Sequence, residues 1–234
     1  FNKQLTMNNI NIDIRKDWEL ILKLIESDKK VLDIGCGDGD LIKKLKKNKN
    51  CDARGIEVNG ELVRNAISTG LIVVQGDAEK DLNQYSDESF DYAILSQTLQ
   101  AMYNPKKVLL EMLRISSKII VSFPNFGHWK IRIKLLTSGK MPITKGLPFT
   151  WYETPNIHFF TLKDFQQMCS ESNIYIEKSI GLTESGKQFI IDNKTMYANL
   201  LTHEAIFLLS MKNYEPIKIK SKKPISVSSK TAAA

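Results

Sequence analysis

Three glycines at alternate positions, Gly35, Gly37 and Gly39, directly follow the run Val31-Leu32-Asp33-Ile34. Glycine leaves the backbone bare and free to take positive φ. Such a loop lets a nucleotide-like ligand lie against the main chain where a strand gives way to a helix. The neighbouring residue types restrict that ligand. A dinucleotide fingerprint needs a small residue at position 40, where Asp40 stands, and a phosphate-binding P-loop needs a Gly-Lys pair that Lys43 does not make. Asp33, two residues before the first glycine, puts a carboxylate where a pyrophosphate is repelled and a cation attracted. S-adenosyl-L-methionine (SAM) carries a sulfonium and an α-ammonium and no phosphate. The loop, with Cys36 between its glycines, therefore reads as a site for SAM or its product S-adenosylhomocysteine.

Further residues fall where such a ligand needs them. Glu57, followed by Val58, lies about twenty residues past the loop, the spacing at which an acid grips ribose hydroxyls. Asp77, in Gln75-Gly76-Asp77-Ala78, can accept from an adenine amino group while the backbone at Ala78 reads the ring edge; a turn-stabilising Asp is the alternative. Ser96 and Gln97 end an apolar run and face the methionyl half in this layout. On the substrate side stand Asn125, Trp151, Tyr152 and His128, the last a weak candidate for a general base. A histidine bonded to its own loop is the competing reading for His128; His158 is weaker, and His203 reads as structural. No Ser/His/Asp or Cys/His arrangement is visible, and methyl transfer needs none, since positioning provides much of its acceleration.

The elements that must hold these residues alternate. Ile14, Trp18, Ile21 and Ile25 recur at helical spacing. Strands are expected at 30–34, 53–58, 71–74, 91–96 and 118–123. Helices are expected after the glycine loop, from Gly60 to Thr69 with Asn59 as N-cap, and from Pro105. Strand-helix-strand at this rhythm is the signature of the α/β class: a doubly wound, Rossmann-like, mostly parallel sheet with helices on both faces in three α-β-α layers. In such a sheet the loops after the first four strands meet at one crevice. Between 124 and 160 the rhythm breaks into an aromatic, proline-punctuated insert with a short helix near 129–136, a natural lid or substrate wall. Thr161, with Asp164 three residues on, caps another helix, and 174–180 and 203–211 close the pattern as a further strand pair.

Composition points to one domain over 1–211 and a basic tail, 212–234, without periodicity and expected to be disordered or a weak interaction arm. Of the net charge of +7, +5 sits in that tail, leaving a body too weakly basic for a nucleic-acid partner. No apolar run reaches the roughly 18 residues of a membrane span. Three cysteines without metal-ligand spacing suit a reducing cytoplasm and no metal.

Several strings are specific enough to name a family. Val-Leu-Asp-Ile-Gly-Cys-Gly-Asp-Gly (31–39), Ser-Phe-Asp-Tyr-Ala-Ile-Leu-Ser-Gln-Thr-Leu-Gln-Ala (89–101), Val-Ser-Phe-Pro-Asn-Phe-Gly-His-Trp (121–129) and Trp-Tyr-Glu-Thr-Pro-Asn-Ile-His (151–158) resemble the methionine biosynthesis protein MetW family, a branch of the class I SAM-dependent methyltransferase fold. The resemblance covers roughly 14–180 and stops near Gly181. It implies a seven-stranded sheet, a SAM site, a place in methionine synthesis, and association with homoserine O-acyltransferase, whose activity family members support. Two readings follow: an accessory subunit of homoserine acylation, or a working methyltransferase on a small acceptor held by the 124–160 insert.

Overall fold

A computed structural model of the chain describes residues 15–144, 146–191 and 197–211. Ile14 of the first helical stripe and the basic tail lie outside them. In chain order the elements are α1 (Lys16–Leu24), β1 (Lys30–Ile34), α2 (Asp40–Lys49), β2 (Asp52–Glu57), α3 (Gly60–Ser68), β3 (Val73–Gln75) and α4 (Ala78–Asp81). They continue with β4 (Phe90–Ser96), α5 (Pro105–Ile115), β5 (Ser116–Pro124), α6 (Trp129–Ser138), α7 (Leu162–Glu171) and β6 (Ile174–Leu182). Last come β7 (Gln188–Ile190), α8 (Ala198–Leu201) and β8 (Glu204–Met211).

The helix ends form as local chemistry dictates. The Asn59 side chain accepts from the backbone N–H groups of Glu61 and Leu62, capping α3. Pro105 opens α5, where its missing N–H costs nothing. Thr161 and Asp164 satisfy each other's backbone in a capping box at α7.

The strands form one eight-stranded sheet in the order β3-β2-β1-β4-β5-β8-β6-β7. β1 to β5 are mutually parallel, and β8 runs antiparallel between β5 and β6. The α/β sheet thus has one strand more than the expected seven. The addition is β7, a three-residue edge strand folded back on β6. It is too short to leave an alternating pattern in the sequence.

Side chains alternate between two hydrophobic clusters, one on each face of the sheet. Leu32, Ile34, Ile119, Val121, Phe123, Phe207 and Leu209 pack against α5 and α7. Val31, Ile94, Ile120, Ile206 and Leu208 pack against α1, α2 and α3. On this second face the same alternation ends in polar groups at one end of the sheet. Asp33 follows Val31, Ser96 follows Ile94, Ser122 follows Ile120, and Glu204 precedes Ile206. The order reverses between β1 and β4, the kind of switch point at which such sheets take ligands, and the start of α1 lies against it through Asp17.

Candidate functional site

The loops after β1, β2, β3 and β4 touch one another at the carboxyl end of the sheet. Gly37 N donates to Glu57 Oε2 at 2.9 Å, and Gly76 N donates to the Glu57 carbonyl at 3.0 Å. Gly35 lies so close to Thr98 that a Cβ there would stand 3.0 Å from Thr98 Oγ1.

The three glycines serve different needs. At Gly37 φ is +58° and a built Cβ meets nothing within 4 Å, so its bare backbone faces open space. At Gly39 φ is +81° and a Cβ would fall 2.3 Å from Leu71 Cδ1. Packing against the segment before β3, and entry into α2, account for that glycine. The Cys36 side chain also points into packing, filling the room left by the missing side chain of Gly55. Burial, reinforced by Asp33 and Glu57, pushes the Cys36 thiol up to about 12, so it is no nucleophile.

The hydrogen bonds of the loop bear on the ligand class. Gly35 N and Cys36 N both donate to the Ile56 carbonyl, at 2.8 and 3.3 Å; Gly39 N donates to the Cys36 carbonyl at 3.0 Å; Gly37 N is taken by Glu57. A phosphate needs such N–H groups free. Here they are used internally, and Asp40 occupies the first turn of α2. Adenosine without phosphate meets no such obstacle. Glu57 is buried at 8% exposure, and its Oε1 accepts from Asn59 N at 2.9 Å. Each carboxylate oxygen still has a lone pair for a ribose hydroxyl. These residues fit a SAM-type ligand.

Beyond the glycine loop lies a buried polar layer that the motif reading missed. Asp17 of α1, at 2% exposure, sits on the strand ends. Its Oδ2 accepts from Arg15 Nη2 at 2.8 Å and from Ser96 Oγ at 2.7 Å, with Ser122 Oγ at 3.2 Å. Arg15 Nη2 also donates to Ser96 Oγ at 2.7 Å. Gln97 holds a left-handed φ of +55° and donates through Nε2 to Glu204 Oε1. Such strained backbone in a residue other than glycine concentrates at functional sites. Burial pushes Asp33 up to about 7, with Arg15 opposing and Glu57 and Asp17 adding. Burial and the nearby Asp17 push Glu204 up to about 8. A cation bound beside the layer would favour the carboxylates and release these protons to solvent.

The remaining candidates are distributed as follows. Asp77 N-caps α4, accepting from Glu79 N at 3.0 Å, and pairs with Lys80 at 2.9 Å; the hydrogen bond from Lys80 holds its carboxyl below the usual range. The turn-stabilising role is therefore occupied, with Ala78 next to it opening the helix. Val58 is 67% exposed beside Glu57. Asn125 is committed to the loop after β5: it donates to the carbonyls of Asn199 and Thr202 and accepts from Gly127 N and Leu162 N. His128 is buried edge-on to His203, with ring centroids 5.7 Å apart, and burial lowers its pKa. His158 Nε2 lies 3.4 Å from the Tyr103 carbonyl. Trp151 and Tyr152 contact each other edge-to-face and are largely exposed. The structure therefore gathers Asp33, Gly35, Gly37, Glu57, Ser96 and Gln97. The hydrogen bonds and ring contacts of Asn125, His128, Trp151 and Tyr152 are made elsewhere.

A model of the family described as "Methionine biosynthesis protein MetW" matches residues 15–209. The chain belongs to this family. The match runs into β8, well past Gly181, where the string resemblance stops. A "Bifunctional methionine biosynthesis protein MetXA/MetW" from Rhodopirellula baltica is 33% identical over 179 residues, covering 73% of this chain and 29% of the relative. The chain thus spans less than a third of that relative's length. Among solved structures, a SAM-dependent methyltransferase of Thermotoga maritima, titled a possible histamine N-methyltransferase, is similar at TM-score 0.58 and 18% identity, covering 82% of this chain and 86% of its own. A SAM-dependent methyltransferase of Archaeoglobus fulgidus is similar at TM-score 0.57 and 16% identity, covering 82% and 93%. The [4+2]-cyclase SpnF is similar at TM-score 0.58 and 15% identity, covering 84% and 80%. These likenesses establish the fold, which houses more than one activity.

Proposed function

We propose that this chain binds SAM or S-adenosylhomocysteine at the switch point between β1 and β4 and acts in methionine biosynthesis, in the cytoplasm, as an accessory to a homoserine O-acyltransferase. One observation carries the ligand assignment: buried carboxylates surround a glycine loop in which the N–H groups of Gly35, Cys36, Gly37 and Gly39 are already engaged. That combination repels phosphate and suits a cationic adenosine compound. Glu57 holds the ribose, Val58 and Ala78 flank the adenine with Asp77 at its amino group, and Asp33, Ser96 and Gln97 receive the methionyl end. SAM, when bound, supplies an electrophilic methyl group and an adenosine that orders the strand-end loops.

The partner assignment is supported by the family and by the MetXA/MetW relative, whose first-named part we take to be the acyltransferase. The 124–160 insert adds a surface for it. Leu136, Ile143, Trp151 and Tyr152 are 86, 52, 72 and 68% exposed, which leaves apolar side chains of the insert available to a partner. Co-expression tests the assignment. The acyltransferase should co-purify with this chain and lose activity when the chain is withheld. Unchanged acylation without it contradicts the accessory role.

The alternative is a working methyltransferase on a small-molecule acceptor, favoured by the open cradle at Gly37 with Glu57 in place. Incubation with methyl-labelled SAM, homoserine and cell extract tests it. Label transferred to a small molecule supports catalysis, and its absence across several acceptors counts against it.

A further inference from the structure

Arg15 stands out in the polar layer as the cation acting on both Asp33 and Glu204. Its Nε and Nη2 are held by Asp17 Oδ1 and Oδ2 at 3.3 and 2.8 Å, and Nη2 also by Ser96 Oγ at 2.7 Å. The guanidinium lies over the Trp18 ring, 4.8 Å from its centroid. These anchors are buried, Asp17 at 2% and Ser96 at 9% exposure, yet the Arg15 side chain remains 41% exposed. Nη1 makes no hydrogen bond among the described residues. A planar group clamped along one edge and open along the other is pre-organised to receive a carboxylate.

The surrounding charges narrow what that carboxylate belongs to. A ligand with only positive charge would be served by Asp17, Asp33 and Glu204 and repelled by Arg15. A ligand with only negative charge would meet the Asp17 carboxylate and gain nothing from Asp33 and Glu204. The mixture suits a zwitterion, and the α-amino-acid end of the ligand proposed above is one. Resting on that reading, we infer that Arg15 is a specificity-determining residue. Its open edge takes the α-carboxylate of the methionyl end, so the site separates complete SAM and S-adenosylhomocysteine from 5′-methylthioadenosine, a thioether nucleoside lacking that end. Because Arg15 immediately precedes α1, recognition of the amino-acid end also fastens this helix over the crevice.

Calorimetric titration of the full chain with S-adenosylhomocysteine and with 5′-methylthioadenosine tests this. The wild-type chain should bind S-adenosylhomocysteine at least about tenfold more tightly. Arg15→Met should remove about that factor while leaving 5′-methylthioadenosine within about twofold. Arg15→Lys, which keeps a charge but not the fork, should fall between. Equal weakening of both compounds would mean that Arg15 merely clamps α1, and no weakening would mean that it does not touch the ligand; either overturns the inference. If thermal melting shows Arg15→Met unfolded, Arg15→Lys decides by the same split. A wild-type chain that binds both compounds alike sinks this inference alone. One that binds neither sinks the cofactor assignment as well.

Discussion

At the scale of single residues, the glycine loop separates ligand contact from packing. Gly37→Val meets open space, so its structural cost is the strain of a side chain at positive φ, about 1–2 kcal/mol. It should fold and fail to bind SAM, and unchanged affinity by calorimetry would refute the loop as the ligand's bed. Gly39→Ala drives a Cβ to within 2.3 Å of Leu71 and should instead show mainly as lost stability in chemical denaturation. Asp33 gives a pH signature. Its carboxyl is raised from 3.8 to about 7, so the fold holds this proton more tightly than the unfolded chain does. Ligand-free stability contributed by Asp33 is therefore full below the unfolded value and lost as pH rises toward 7; Glu204, raised to about 8, extends the loss. A cationic ligand favours the carboxylate, so SAM affinity should rise over the same window. Asp33→Asn should flatten both slopes, and slopes unchanged in that variant would contradict the assignment. Asp33 and Glu57 were legible because one strand-loop-helix motif carries fixed offsets. Arg15, Asp17, Ser122 and Glu204 come from distant segments. Their one sequence signal was slight: Asp17 stands four residues before Ile21 on the apolar stripe, and three strand alternations end in a polar residue.

At the scale of elements, α1 is held to the sheet by polar contacts as well as by Leu20, Ile21 and Ile25. Asp17→Ala leaves Arg15 without its partner and the Ser96 and Ser122 hydroxyls without their shared acceptor. Loss of a partner from a buried ion pair costs about 3–5 kcal/mol. Partial exposure of Arg15 places the expected loss at the lower end, readable as a shifted urea midpoint. A midpoint equal to wild type would mean that apolar packing alone seats the helix. Most elements could be read in advance because caps and periodicity are local: Asn59, Pro105 and the Thr161–Asp164 box mark true helix starts. Which strands become neighbours is not local. β8 enters between β5 and β6, pairing Val121 with Phe207 across a long stretch of chain, and no pattern within either strand announces it.

At the scale of the molecule, the fold alone does not set the activity, since a cyclase shares the architecture with methyltransferases. Family membership places the chain in methionine biosynthesis, and co-purification with an acyltransferase tests the proposed partner independently of the ligand site. The ligand assignment itself rests on charge: acids around a loop in which the N–H groups of Gly35, Cys36, Gly37 and Gly39 are already engaged. Calorimetric titration of the purified chain with SAM, NADH and ATP in parallel addresses this most directly. The account predicts one site for SAM and no measurable heat from either phosphate-bearing nucleotide. Binding of NADH or ATP in place of SAM would contradict it.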